Sequence, residues 1–420
     1  MKIYGNLKHN LSRLFRSIGK FFAGKKEGII AGGANNDPAG TITYLQIGAS
    51  SGYALLWLMV VTTPMLIVVT QMAAKIGIIL RLGLARVLKD YYGRRIAFFL
   101  VALVALANIF TIGANIAGMA DLVAITVNME AQYVLFVVLV GLFVLLFLLR
   151  KRYADISKFL FILTPISLVY IITAFLVKPD WHGVALGIVG ARMSFELHYW
   201  MLVVGAIGTI IAPYIIFWET TAEIEEKKTI KDLKETNSGI SWGMALANII
   251  CILIVVLAAT VLGGHGGVIE NIRQASEVLR PLAGDAAFGL FAIGILASGF
   301  VAVPVLISST AYMVADLLGW RAGLDKKEYQ APAFYLLIII SVTVGILMNV
   351  FNVNPVQTMI WSQVVAGCVA PFIVAALLLV CNNKKLMGTY TNSRSANVVG
   401  FLTIAIMVLS IAFFLFDILK

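Results

Sequence analysis

Residues 34–41 read Ala34-Asn35-Asn36-Asp37-Pro38-Ala39-Gly40-Thr41, in the middle of an apolar run from 28 to 50. A run of that length crosses a bilayer, so Asp37 sits near its middle. Pro38 removes a backbone donor, and Gly40 tolerates an unwound turn. A kink capped by Asp37 is the plain explanation. Ser or Asn would cap as well, without placing a carboxylate in hydrocarbon. A second run, 197–222, is interrupted by Gly205-Ala206-Ile207-Gly208-Thr209-Ile210-Ile211-Ala212-Pro213-Tyr214. One proline kink alone means little. Two breaks, in spans one and six, hold matching places if five helices repeat as five more. That pattern points to an inverted-repeat secondary transporter with its site at the midplane. Unwound backbone frees carbonyl oxygens and half-helix ends add dipoles. With a carboxylate, these make a hard-oxygen site suited to a cation.

The rest of the chain agrees with a polytopic membrane protein. Its 420 residues are 60% hydrophobic and only 13% charged, against about 25% charged in soluble domains. Mean hydropathy is +0.95. Three cysteines, Cys251, Cys368 and Cys381, lie in apolar runs and read as inert core residues. Further spans are expected at 53–74, 96–120, 133–150, 156–177, 240–262, 286–315, 332–351, 355–381 and 396–417, eleven in all. The first 27 residues repeat Ile3, Leu7, Leu11, Leu14, Phe15, Ile18 and Phe22 at helical spacing, an amphipathic arm on the membrane face. With the N-terminus inside, 27 of the 32 Lys and Arg fall on the cytoplasmic side. The net charge of +11 is therefore topology, and no nucleic-acid partner is expected. The C-terminus falls outside, and a cell membrane, the inner one of a prokaryote, is the expected location. The expected organisation is an arm at 1–27, a five-helix repeat at 28–177, an outer loop at 178–196, a second repeat at 197–381, and an inner loop with an eleventh helix at 382–420.

The motifs resemble the Nramp divalent-metal transporters, eleven-helix proteins with a LeuT-type inverted repeat. Asp37-Pro38-Ala39-Gly40 is similar to the family's Asp-Pro-Gly-Asn, and Ala212-Pro213-Tyr214 to its Met-Pro-His. Gly77, Arg81 and Arg86 resemble its Gly-Arg-Asp-Leu region, Ala297-Ser298-Gly299 matches in span eight, and Ser362-Gln363-Val364-Val365 before Pro371-Phe372 resembles the helix-ten motif. The resemblance implies metal held by Asp37, the Ala34 carbonyl, the Thr209 carbonyl and Gln363. It also shows departures: the Asn ligand is Gly40, the Met ligand is Ala212, and the two helix-six histidines are Tyr214 and Glu219. The acidic pair of helix three aligns with Asn115 and Gly118.

A thioether favours Mn, Fe, Co and Cd over Mg and Ca, so Ala212 removes the main discrimination against Mg²⁺. Gly40 and Ala212 predict a roomier cavity for a partly hydrated Mg²⁺, which keeps several waters. This pattern is similar to the family's Nramp-related magnesium transporters, which carry Mg²⁺ and also Mn²⁺. Tyr214 replaces a group that titrates near neutrality, since phenols titrate near 10, and Asn115 and Gly118 carry no protons. Uncoupled transport is expected, with the ion as cargo, no cofactor, the bilayer as surroundings and a monomeric chain. A proton-coupled Mn²⁺/Fe²⁺ symporter, an Al³⁺ carrier and an amino-acid transporter of the same fold remain as alternatives. A membrane enzyme finds no nucleophile–base set or zinc motif in the spans.

Other polar residues read more plainly. Glu219 and Glu223 share a helix face, lining an inner vestibule or facing the inner loops. Asn108, Asn115 and Asn248 read as interhelical glue before ligands. Trp57, Trp200, Trp218, Trp320 and Trp361 are expected in an interfacial belt. His182, His198 and His265 fall in outer loops, and Gly263–Gly267 is expected to be a flexible connection.

Overall fold

The computed structural model describes residues 26–190, 197–263, 267–351 and 354–419. Residues 1–25 of the expected amphipathic arm, His265 and the centre of the Gly263–Gly267 run lie outside the described residues. The first expected span is two helices, α1 (Lys26–Asn35) and α2 (Pro38–Ser51). Then follow α3 (Leu56–Leu80), α4 (Leu84–Tyr92), α5 (Arg94–Thr126), α6 (Tyr133–Arg150), α7 (Tyr153–Leu163), α8 (Val169–Leu176) and α9 (Trp181–Val189). The second half comprises α10 (Leu197–Ile210), α11 (Pro213–Glu225), α12 (Leu233–Val261), α13 (Ala287–Leu318), α14 (Pro332–Met348), α15 (Pro355–Cys381) and α16 (Arg394–Ile418). Among the described residues, ten helical stretches are long and apolar enough to cross a membrane. At 10 and 14 residues, α1 and α2 are too short to count singly. The eleven expected spans are compatible with this architecture.

Prolines punctuate the chain where a helix begins. Pro38, Pro213, Pro332 and Pro355 all stand at helix starts, where the missing N–H costs nothing. Asp37 and Asn354 cap with their side chains. Helices fill parts of the chain that read as loops. In the basic second-to-third connection, Leu84, Val87 and Leu88 recur at helical spacing, and their burial holds α4 against α5. The stretch 178–196, expected as an outer loop, contains α9, capped by Asp180.

The two broken spans define the centre. Both α1 and α2 lie along α12, and the close approach needs glycine. A Cβ at Gly243 would land on the Gly28 carbonyl, and one at Gly28 on Gly239, so small residues bring these backbones together. α1 packs on α11 and α2 on α10, which sets the broken spans antiparallel.

The tryptophan belt holds only in part. Trp320 and Trp361 are exposed, but Trp200 and Trp218 are buried. Trp218 stacks on Tyr153 at 5.9 Å and Trp200 on Phe413 at 4.5 Å. Neighbouring helices offer these rings more apolar contact than the interface would.

Candidate functional site

Each break is one extended residue followed by proline. Asp37 has φ −69° and ψ 163°, and Ala212 has φ −69° and ψ 125°. Helical hydrogen bonding stops there, leaving carbonyls at the ends of α1 and α10 to find other partners. They find them across the pair. The Tyr214 hydroxyl donates to the Ala34 carbonyl at 2.6 Å, and Asn35 Nδ2 donates to the Ile210 carbonyl at 3.1 Å. Each break thus supplies a donor to the other. The Tyr214 carbonyl in turn accepts from Ser309 Oγ on α13 at 2.7 Å.

Asp37 lies between the breaks and is 1% exposed. Its Oδ1 accepts the Gly40 N–H at 2.7 Å, the N-cap bond of α2. Its Oδ2 accepts Asn115 Nδ2 from α5 at 2.7 Å and Gln363 Nε2 from α15 at 3.3 Å. Asn115 Oδ1 accepts the Ala39 N–H at 2.9 Å, so one side chain grips both the carboxylate and the backbone beside it. Asn115 is therefore part of the centre rather than glue between helices. Asn108 and Asn248 are glue, bonded to Thr310 on α13 and to Met59 and Thr63 on α3.

The expected roominess takes another form. A Cβ at Gly40 would land on Thr209 Oγ1 and 2.6 Å from Asp37 Oδ1, so those two oxygens converge where the missing side chain would be. The Thr209 hydroxyl, beyond the expected Thr209 carbonyl, belongs to the site. Thr209 Oγ1 and Asn35 Oδ1 are both buried without a hydrogen-bond partner, and such oxygens are costly unless something binds them. Carboxylate, carbonyls, hydroxyl and amide oxygens together form a hard donor set fit for a cation.

Ala34, Asp37, Gly40, Thr209, Ala212, Tyr214, Asn115 and Gln363 all belong to the two breaks or the helices bonded to them. Gly118 stands apart: a Cβ there would meet the Met359 thioether at 2.6 Å, so this position packs α5 on α15. Glu219 and Glu223 on α11 are fully buried. Their burial, on a helix packed between α3 and α13, keeps them from lining an open vestibule. Two partners gave no sequence signal. Asn35 read as part of the break without a role, and Cys251, taken as inert, donates its thiol to Asn36 Oδ1 at 2.9 Å.

Further polar contacts flank the site on either side. Along α2, Gln46 Oε1 accepts the Ile269 N–H at 2.8 Å. At the end of α11, the Tyr312 hydroxyl donates to Glu225 Oε1 at 2.5 Å and accepts the Leu324 N–H at 2.9 Å.

An all-helical bundle whose two broken spans meet at the buried Asp37 carboxylate is an architecture of membrane transporters. The chain belongs to the Nramp family: residues 28–417 match the family model described as natural resistance-associated macrophage protein-like. A relative in Deinococcus radiodurans, the divalent metal cation transporter MntH, is 26% identical over 406 residues, 93% of this chain and 89% of the relative. A manganese transporter of Eremococcus coleocola, in complex with an aromatic bis-isothiourea compound, superposes with a TM-score of 0.73 at 22% identity. The alignment covers 93% of this chain and 85% of that one. The nucleobase-cation-symport-1 family transporter Mhp1, in a closed conformation, superposes at 0.58 with 16% identity over 94% and 91% of the two chains. Both structures share the LeuT-type fold with this chain.

Proposed function

We propose that this chain carries Mg²⁺, and also Mn²⁺, across a cell membrane by alternating access, as a single chain uncoupled from protons. The observation that carries this is the set of groups around Asp37. The carboxylate is ringed by amides and oxygens, and Ala212 supplies no sulfur at the second break. Relatives bearing the names divalent metal cation transporter and manganese transporter support a divalent cargo. The absence of a thioether favours a hard ion. Asp37 is the ligand with formal charge; the Ala34 and Thr209 carbonyls, the Thr209 hydroxyl and Gln363 complete the set. Cation binding exchanges the Asn115 and Gln363 bonds of Asp37 for bonds to the ion or its waters. Gly40 and Ala212 leave those waters room once Asp37 and Thr209 part. Mg²⁺ retains several waters readily.

Uncoupled movement follows from Tyr214 and Asn115. Each is occupied as a hydrogen-bond donor, to Ala34 and Asp37, and neither titrates near neutral pH. A potential of 100 mV supplies about 4.6 kcal/mol for a divalent ion, roughly 2.3 per charge. The Lys and Arg excess on one side supports a cytoplasmic N-terminus.

The test is ion uptake by proteoliposomes containing a pH dye. Mg²⁺ uptake with a steady luminal pH is expected, and Mn²⁺ competes. Protein-dependent acidification during Mg²⁺ influx would sink the uncoupled reading in favour of a proton symporter. Ala212→Met is expected to shift the Mg²⁺-to-Mn²⁺ uptake ratio about tenfold toward Mn²⁺, the effect of roughly one ligand contact. An unchanged ratio would remove Ala212 from the selectivity argument.

A further inference from the structure

An uncoupled carrier reorients twice in each cycle, once loaded and once empty. The loaded form balances Asp37 with the ion. The empty form must still carry a buried carboxylate between the two faces, and an unpaired buried charge is costly. Among the described residues, no ion pair holds Asp37; Arg86 with Asp90, Arg273 with Glu130 and Arg280 with Glu277 are ion pairs elsewhere. Neutral donors hold it instead. At 2.7 Å, Asn115 Nδ2 is much closer than Gln363 Nε2 at 3.3 Å.

We propose that Asn115 is the positioning residue that lets the carrier return without cargo, its amide taking the place of the ion at Asp37. The inference rests on the transport reading above. Two features single out Asn115. Its orientation is dictated: Ala39 N–H needs an acceptor, so Oδ1 faces the backbone and Nδ2 must face Asp37. Its anchor is an unbroken 33-residue helix, α5, packed on α13, α14 and α15. The donor therefore comes from outside the two broken spans, and it holds the α2 break and the carboxylate in one register. Asn115 is fully buried and Asp37 is 1% exposed, so water does not stand in for it. A carboxylate at 115 would keep the acceptor for Ala39 and replace the donor with a second negative charge.

The experiment separates the empty step from the loaded one in proteoliposomes of the full chain at neutral pH. Net Mn²⁺ uptake into metal-free vesicles requires the empty return. Exchange of radioactive Mn²⁺ against Mn²⁺ preloaded inside requires only the loaded form. Asn115→Leu and the isosteric Asn115→Asp are expected to slow net uptake about tenfold or more, the factor for one hydrogen bond to a charged group. Exchange should fall clearly less than net uptake does, so the ratio of the two is the readout, and surviving exchange shows that the site is folded. Net uptake and exchange falling together, or neither falling, would overturn the proposal. If Asn115→Leu does not reconstitute, Asn115→Asp decides, since it preserves shape and the Ala39 bond. Wild-type vesicles that exchange Mn²⁺ yet take up no Mg²⁺ would instead overturn the cargo assigned above, and the Asn115 comparison would still be read with Mn²⁺.

Discussion

Asp37→Ala is expected to reduce Mg²⁺ and Mn²⁺ uptake at least about 100-fold. A unit charge about 4 Å from a divalent ion contributes roughly 8 kcal/mol at an effective dielectric near 20, before desolvation costs. Even a net third of that corresponds to about 100-fold in binding. The carbonyls and amides of the breaks lack the formal charge to compensate. Loss of fold is separable from loss of charge by Asp37→Asn, which keeps an acceptor for the Gly40 N–H and hence the α2 cap. Both variants should elute as the wild type does, fail in uptake, and show no heat of Mn²⁺ binding in calorimetry. Uptake by either variant within tenfold of wild type would remove Asp37 from the ligand set.

The second large effect is structural and falls on Gly208. A Cβ there would land on the Gln363 carbonyl and the Gly367 amide nitrogen, so the backbones of α10 and α15 touch. Gly208→Val forces them apart, at a cost of about 3 kcal/mol or more for overpacking that a side-chain rotation cannot relieve. It also pulls Thr209 and Gln363 away from Asp37. Little monodisperse protein is expected, with a lowered melting temperature and no uptake. Gly205, three residues earlier, is the control: a Cβ there meets nothing nearer than 3.5 Å, and Gly205→Ala should be tolerated. Equal behaviour of the two would show that the α10–α15 contact is looser than the geometry implies.

The parts legible in the sequence were local. Asp37-Pro38 and Ala212-Pro213 announce their breaks because proline and a mid-span carboxylate act on their own helix wherever it packs. Hydrophobic length marks the spans for the same reason. Trp200 and Trp218 were misjudged because a ring near a span end reads the same whether it meets headgroups or another ring. The helices α4 and α9 were hidden inside connections too short and too mixed in composition to stand out from loops. Gly118 aligned with a coupling position, yet in the structure a Cβ there would meet the Met359 thioether, a packing neighbour that its own sequence does not announce.

By itself, then, the sequence determined an α-helical membrane chain with two broken spans and one carboxylate at its centre. Those features follow from backbone chemistry and transfer from water to hydrocarbon, which act residue by residue. Only the tertiary structure decided what holds that carboxylate. Asn115 and Gln363 lie 78 and 326 positions from Asp37, and the Tyr214 hydroxyl reaches the Ala34 carbonyl across 180. An amide or phenol in an apolar run has the same composition whether it joins two helices or balances a charge. The difference is a matter of direction and distance, and these exist only once α5, α11 and α15 are packed around the breaks.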